Sequence, residues 1–222
     1  MVKYHPEARF LSDYTAGSLP EEQALCVATH LHYCATCRVK VRELTELGSV
    51  LFMQLLPEPA AAQSAHVAAD DFGRLMTRIS GLPTTPISAT ASATDNVSGL
   101  PRPLHKLGRG NIETLKWRRI GKGFRYSRLK VGSPQRETSL LHIKAGGSVP
   151  HHRHAGDEIT VIIKGSFSDQ DDKYGVGDFI VRTAGEKHQP VASQDQDCLC
   201  LSTLEKPLIL SNLFYRLLAP FF

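Results

Sequence analysis

Apolar positions in the first eighty residues recur at helical spacing, and from about residue 111 they recur in the short runs of strands. Pro6 suits the opening of a short helix that carries Phe10, Leu11 and Tyr14 and ends near Gly17. Ser18 followed by Glu21 predicts a capping box for a second helix, which places Val27, His30, Leu31 and Cys34 on one face. A third helix begins at about Cys37, and its stripe of Val41, Leu44, Leu47, Leu51 and Leu55 is stopped by Pro57 and Pro59. A fourth helix over 70–80 carries Phe72, Leu75, Met76 and Ile79.

Residues 81–110 are rich in Pro, Ser, Thr, Ala and Gly and lack an apolar period, which predicts a flexible linker. Strands are predicted over 114–120, 124–131, 138–145, 159–164, 178–182, 197–203 and 208–217. Strands at this spacing imply a β-sandwich or barrel. The expected class is therefore α + β in two domains: a helical one over 1–80, the linker over 81–110, and a β domain over 111–222.

Composition narrows this only in places. The chain opens on mixed charged and polar residues where a signal peptide would be continuously apolar, and its longest apolar runs, 50–56 and 208–222, are too short or interrupted to span a bilayer. Five cysteines, most of them clustered, read as reduced thiols of a cytoplasmic protein with no role at a membrane. The net charge of +4 is uneven. Residues 1–80 carry 7 basic and 9 acidic side chains, which argues against direct nucleic-acid binding by the helical part. Residues 102–130 hold ten Lys and Arg against Glu113 alone, either as a charged strand edge that resists aggregation or as a surface for an acidic partner.

Two clusters carry chemistry. The stretch HLHYCATC places His30 one helical turn before Cys34, with Cys37 following as HxxxCxxC. An imidazole and two thiols at this spacing point to Zn2+, with a fourth ligand supplied from elsewhere in the chain. In the β region, Gly146, His152, His154, Glu158 and Gly165 form GxxxxxHxHxxxExxxxxxG, and Gly177, Gly185 and His188 follow as GxxxxxTxGxxH. His152 and His154, two apart on an extended segment, point the same way. These spacings resemble the two motifs of the cupin superfamily, with Thr183 where the second motif usually has Pro. The resemblance implies a small double-sheet β-barrel holding a metal on His152, His154, Glu158 and His188. That donor set suits Zn2+ or another divalent transition metal. Cys198 and Cys200 share one face of a strand, either as two small buried residues or as an oxidisable pair or auxiliary metal site.

An HxxxCxxC helical part joined to a cupin resembles the ChrR group of zinc-binding anti-sigma factors. That resemblance implies His5 as the fourth zinc ligand. It further implies a 1:1 complex with an extracytoplasmic-function sigma factor, released in response to singlet oxygen or related oxidative stress sensed through the cupin. Under it, Phe72, Leu75 and Met76 are expected to touch the partner, and Cys198 and Cys200 match a recurring CxC. Two other classes compete. A metal cupin enzyme of dioxygenase or isomerase type is one, and iron or manganese with measurable oxygen consumption would favour it. A DNA-binding regulator would need the basic recognition helix that the acidic N-terminal part lacks.

Overall fold

The computed structural model describes residues 1–55, 69–82, 100–105, 107, 112–121 and 123–210, with side chains at 69–71 and 210 left aside. Among the described residues four α-helices precede the strands: α1 (Ala8–Ala16), α2 (Glu21–Tyr33), α3 (Ala35–Gln54) and α4 (Ala69–Ser80). Twelve strands follow among the described residues: β1 (Arg118–Ile120), β2 (Phe124–Leu129), β3 (Glu137–Ile143), β4 (His152–Arg153), β5 (Glu158–Lys164), β6 (Phe167–Ser168), β7 (Lys173–Tyr174), β8 (Phe179–Arg182), β9 (Lys187–His188), β10 (Val191–Ala192), β11 (Cys198–Leu204) and β12 (Ile209–Leu210).

The strands pair antiparallel into a six-stranded sheet of order β1-β2-β3-β11-β5-β8 and two three-stranded sheets, β10-β6-β7 and β12-β4-β9. Three separate sheets, rather than one closed ring, carry the double-sheet arrangement. In β5, Ile159, Val161 and Ile163 face one side of the large sheet, while Glu158, Thr160 and Ile162 face the other. β11 alternates in the same way, with Leu199 and Leu201 on the first side and Cys198 and Cys200 on the second. The second side packs against Phe167, Tyr174 and Ala192 of a small sheet and forms the interior. The first side is covered by Phe10, Leu11, Cys26 and Val27 of α1 and α2. Both faces of the large sheet are thus buried, which explains why β5 and β11 read as continuous apolar runs.

This packing divides the chain differently from its composition. Met1–Glu46 and Thr94–Phe222 form one compact unit, and Leu47–Ala93 forms the other. The first two helices have too few large side chains to bury each other, and the outer sheet face needs a cover. The predicted linker falls largely outside the described residues, but Leu100 and Leu104 at its end are buried under α2.

Several local expectations change for identifiable reasons. The capping box does not form: Pro20 precedes α2 with no side-chain cap, and Ser18 Oγ donates to Asp13 O at the end of α1. Glu21 instead accepts the Gly132 N–H at 3.2 Å, and the buried Glu22 pairs with Arg136 at 3.1 Å. Gly132, at φ 67°, lets the β2–β3 turn approach so closely that a Cβ there would collide with the Glu22 carboxylate. Cys26 is a packed thiol of the core with no exposure. The stretch 114–117 forms a 3-10 turn and loop rather than strand, and the predicted strand over 208–217 is described only for Ile209–Leu210.

In the second unit, the end of α3 exposes Leu47, Leu51, Phe52 and Met53, and α4 exposes Phe72, Leu75, Met76 and Ile79. α4 is strongly amphipathic by sequence, with its charged residues on the opposite side. No helix among the described residues is long and apolar enough to cross a membrane.

Candidate metal centres

The first cluster is built where α2 gives way to α3. Cys34 leaves the helix at φ −106°, ψ 104°, and α3 restarts at once, so Cys34 and Cys37 bracket the first turn of the new helix. The Cys37 N–H donates to Cys34 Sγ at 3.3 Å, which ties the first turn of α3 to that sulfur. His5 arrives from the chain ahead of α1, its Nδ1 3.3 Å from Cys34 Sγ and 3.4 Å from Cys37 Sγ. Zinc bonds of about 2.3 Å to sulfur and about 2.0 Å to nitrogen give tetrahedral edges of roughly 3.5 Å, so this separation fits. His30 completes the set: one potential ligand atom from each of the four residues lies within 4.8 Å of the others.

His30 is oriented from the sheet side. Its Nδ1–H donates to Gly177 O at 2.6 Å, leaving the Nε2 lone pair buried and without a partner. An orphaned acceptor beside two thiols is what a cation would satisfy. Burial depresses the His30 pKa, and burial with the neighbouring Cys34 raises that of Cys37 to about 11. Without a cation these groups are held neutral; a metal would reverse that balance at the sulfurs.

The second cluster lies inside the double sheet. His152 on β4 sits directly opposite His188 on β9, while Glu158 opens β5. All four members, His152, His154, Glu158 and His188, are buried. His188 Nε2 is 2.9 Å from His152 Nε2 and 3.1 Å from His154 Nε2, and Glu158 Oε2 is 3.5 Å from His154 Nε2. The outer nitrogens are already engaged: His152 Nδ1 with Pro150 O at 2.8 Å and His188 Nδ1 with Asp169 Oδ2 at 3.0 Å. If those nitrogens hold the protons, the Nε2 lone pairs face one another, an arrangement relieved by a shared cation.

Glu158 is fixed by Ser202 Oγ at 2.5 Å and Thr160 Oγ1 at 3.1 Å, both donating to Oε1, so Oε2 is left for the histidines. Burial lowers the His152 pKa to about 4 and also lowers that of His154. Burial alone would raise Glu158, but His154 and His152 bring it below its usual range. Three imidazoles and one carboxylate are thus gathered for a divalent ion. Beside them lies a cavity of about 230 Å3, lined by Phe124, Tyr126, Leu141, Phe167 and Ile180, with the buried Tyr126 hydroxyl unpartnered.

The other candidates separate clearly. Cys198 and Cys200 face the interior with their sulfurs 3.5 Å apart, and Cys198 together with burial holds Cys200 as a thiol. That environment favours the packing alternative over a reactive thiolate. Phe72, Leu75 and Met76 are 65%, 50% and 44% exposed and belong to the other compact unit. His142 contacts Asp197 and Arg125, His105 contacts Leu100 O, and His66 lies outside the described residues. Sequence spacing missed Asp169 and Asp178, which support the ligands from loops, and it marked Gly177 only as a motif glycine and not as the partner of His30. The only signals were an acidic run before β7 and a glycine ahead of an aspartate.

Residues 108–206 match the family model described as the ChrR cupin-like domain. The anti-sigma-E factor ChrR of Cereibacter sphaeroides is 31% identical over 221 residues, covering 100% of this chain and 98% of the relative. The crystal structure of Rhodobacter sphaeroides SigE in complex with the anti-sigma ChrR matches at 30% identity and a TM-score of 0.73, covering 92% of this chain and 99% of that one.

Proposed function

The chain belongs to the family of the ChrR anti-sigma factors, and on that premise we propose that it binds and inhibits an extracytoplasmic-function sigma factor. The complex is a 1:1 heterodimer in the cytoplasm, and the chain itself contacts neither nucleic acid nor membrane. The observation that carries this reading is the likeness along nearly the whole of both chains, helices included, to a protein seen bound to its sigma factor.

The exposed apolar side chains of the second unit supply the contact surface. Phe72, Leu75, Met76 and Ile79 lie on one amphipathic helix, and a helix face of this kind is a docking element when a partner covers it. Co-expression with the cognate sigma factor is expected to yield a co-purifying pair. Phe72→Glu with Leu75→Glu is expected to weaken it at least 100-fold while leaving the fold intact. Unchanged affinity would move the partner surface elsewhere.

His5, His30, Cys34 and Cys37 hold Zn2+, which when bound clasps the N-terminal segment to the junction of α2 and α3. His152, His154, Glu158 and His188 hold Zn2+ or another divalent transition metal, and this interior site is where singlet oxygen or a related oxidant is sensed. Pro150 and Asp169 fix the imidazoles, Ser202 fixes the carboxylate, and the apolar cavity lining limits water. His152→Ala is expected to retain sigma inhibition and lose oxidant-triggered release; an unaltered response would exclude the interior site as the sensor.

A further inference from the structure

The loop carrying Asp169 to Asp178 touches both candidate metal centres, one at each end. At one end, Asp169 Oδ2 accepts from His188 Nδ1 at 3.0 Å. Its Oδ1 accepts the N–H groups of Asp171 and Asp172 at 3.0 and 3.3 Å, while its own N–H donates to Asp172 O at 3.0 Å. This closed turn prevents the Asp169 carboxylate and the Asp172 backbone from moving independently.

At the other end, the Asp172 carboxylate accepts from Lys3 Nζ at 2.5 Å and from the Tyr4 hydroxyl. Tyr4 immediately precedes His5. The Tyr4 main chain is held by its N–H to Asp178 Oδ1 at 3.0 Å and by its O from the Phe179 N–H at 3.0 Å. Gly177 O meanwhile accepts from His30 Nδ1 at 2.6 Å. Gly177 has φ 87°, and a Cβ there would lie 2.7 Å from Tyr33 Cβ, so the turn sits tightly on α2. A parallel path runs through Arg182, whose guanidinium donates to Asp169 at 2.7 Å and to the Tyr174 hydroxyl at 2.8 Å; the Tyr174 ring lies 5.0 Å from that of Tyr4.

We propose that this loop couples the two centres, with Asp169 and Asp172 as positioning residues that link the orientation of His188 to the placement of His5. The inference rests on the metal-binding reading of both clusters and supplies the route by which the interior site acts on the helical cover. Two ends of one hydrogen-bonded turn cannot relax separately, so occupancy of one site biases the other, and by linkage the effect is reciprocal.

The test needs no sigma factor, so its failure is distinct from failure of the anti-sigma reading. Cobalt is loaded at the cysteine site, where the thiolate charge-transfer band reports that site alone, and its loss to a chelator is timed. His154→Ala, which lies outside the turn, is used to empty the interior site. Emptying it is expected to change the rate of cobalt loss at least fivefold in the otherwise native chain. The change is expected to fall below twofold when His154→Ala is combined with Asp172→Asn or with Tyr4→Phe, and to return with Asp172→Glu. Tyr4→Phe removes only one hydroxyl and keeps the assay decisive if Asp172→Asn fails to fold. An equal change in the native and Asp172→Asn or Tyr4→Phe backgrounds overturns the proposal, as does no change at all or an interior site that takes up no metal.

Discussion

The two candidate metal centres lie in one compact unit, yet they are organised in opposite ways. The cysteine site gathers donors from the N-terminal segment, the end of α2 and the first turn of α3, and its His5 is exposed. The interior site draws all its donors from within the double sheet, every one buried and most held by a second hydrogen bond. The first would use an ion to tie the N-terminal segment to the α2–α3 junction. The second is shaped by the sheets before any ion arrives. A clasp of the first kind contributes to folding, whereas a site of the second kind is suited to changing state inside a fold that persists.

The largest expected effect separates these roles. Cys37→Ala should lose one ion per chain and lower the melting temperature sharply, since structural zinc contributes up to about 10–16 kcal/mol in small zinc domains. His154→Ala should lose the other ion with a clearly smaller thermal shift. Calorimetry with metal analysis checks both, and equal shifts would erase the distinction.

Acid should act next, and the metal-free chain gives the sign. Unfolded histidine takes up a proton near pH 6.5, but burial holds folded His152 neutral until about pH 4. Below pH 6.5 the unfolded chain therefore binds more protons. Stability should fall as the pH drops from about 6.5 to about 4, by on the order of 3 kcal/mol from this residue. Denaturant melts across that window test it, and a flat profile would mean that His152 is solvated.

Asp169→Asn should weaken metal binding at the interior site by about 10–100-fold, because His188 loses its carboxylate partner. Competition with a chelator measures this. The smallest effect on stability belongs to the second unit, where Phe72→Ala and Leu75→Ala should stay within about 0.5 kcal/mol because both side chains are exposed.

The legible part of this molecule was its chemistry and its periods. HxxxCxxC and HxHxxxE fix donor spacing within short segments, and the structure brings those donors together with His5 and His188. Helices α1 to α4 were visible because each carries an apolar stripe or a clear stop signal. The two-residue strands β6, β7, β9 and β10 were not, since pairs such as Lys173–Tyr174 have no period to read. The docking of α2 on the sheet was also hidden. It rests on Cys26, Glu22 and Gly177, whose roles depend on residues more than a hundred positions away. Loop supports such as Asp169 escaped for the same reason: only folding places a carboxylate behind His188.

Native mass spectrometry of the chain purified with its sigma factor tests the central claim most directly. The expected mass is one chain, one sigma factor and two metal ions, with one ion lost on Cys37→Ala and the other on His154→Ala. A chain that forms no complex, or a complex whose metal content neither substitution alters, would contradict the account.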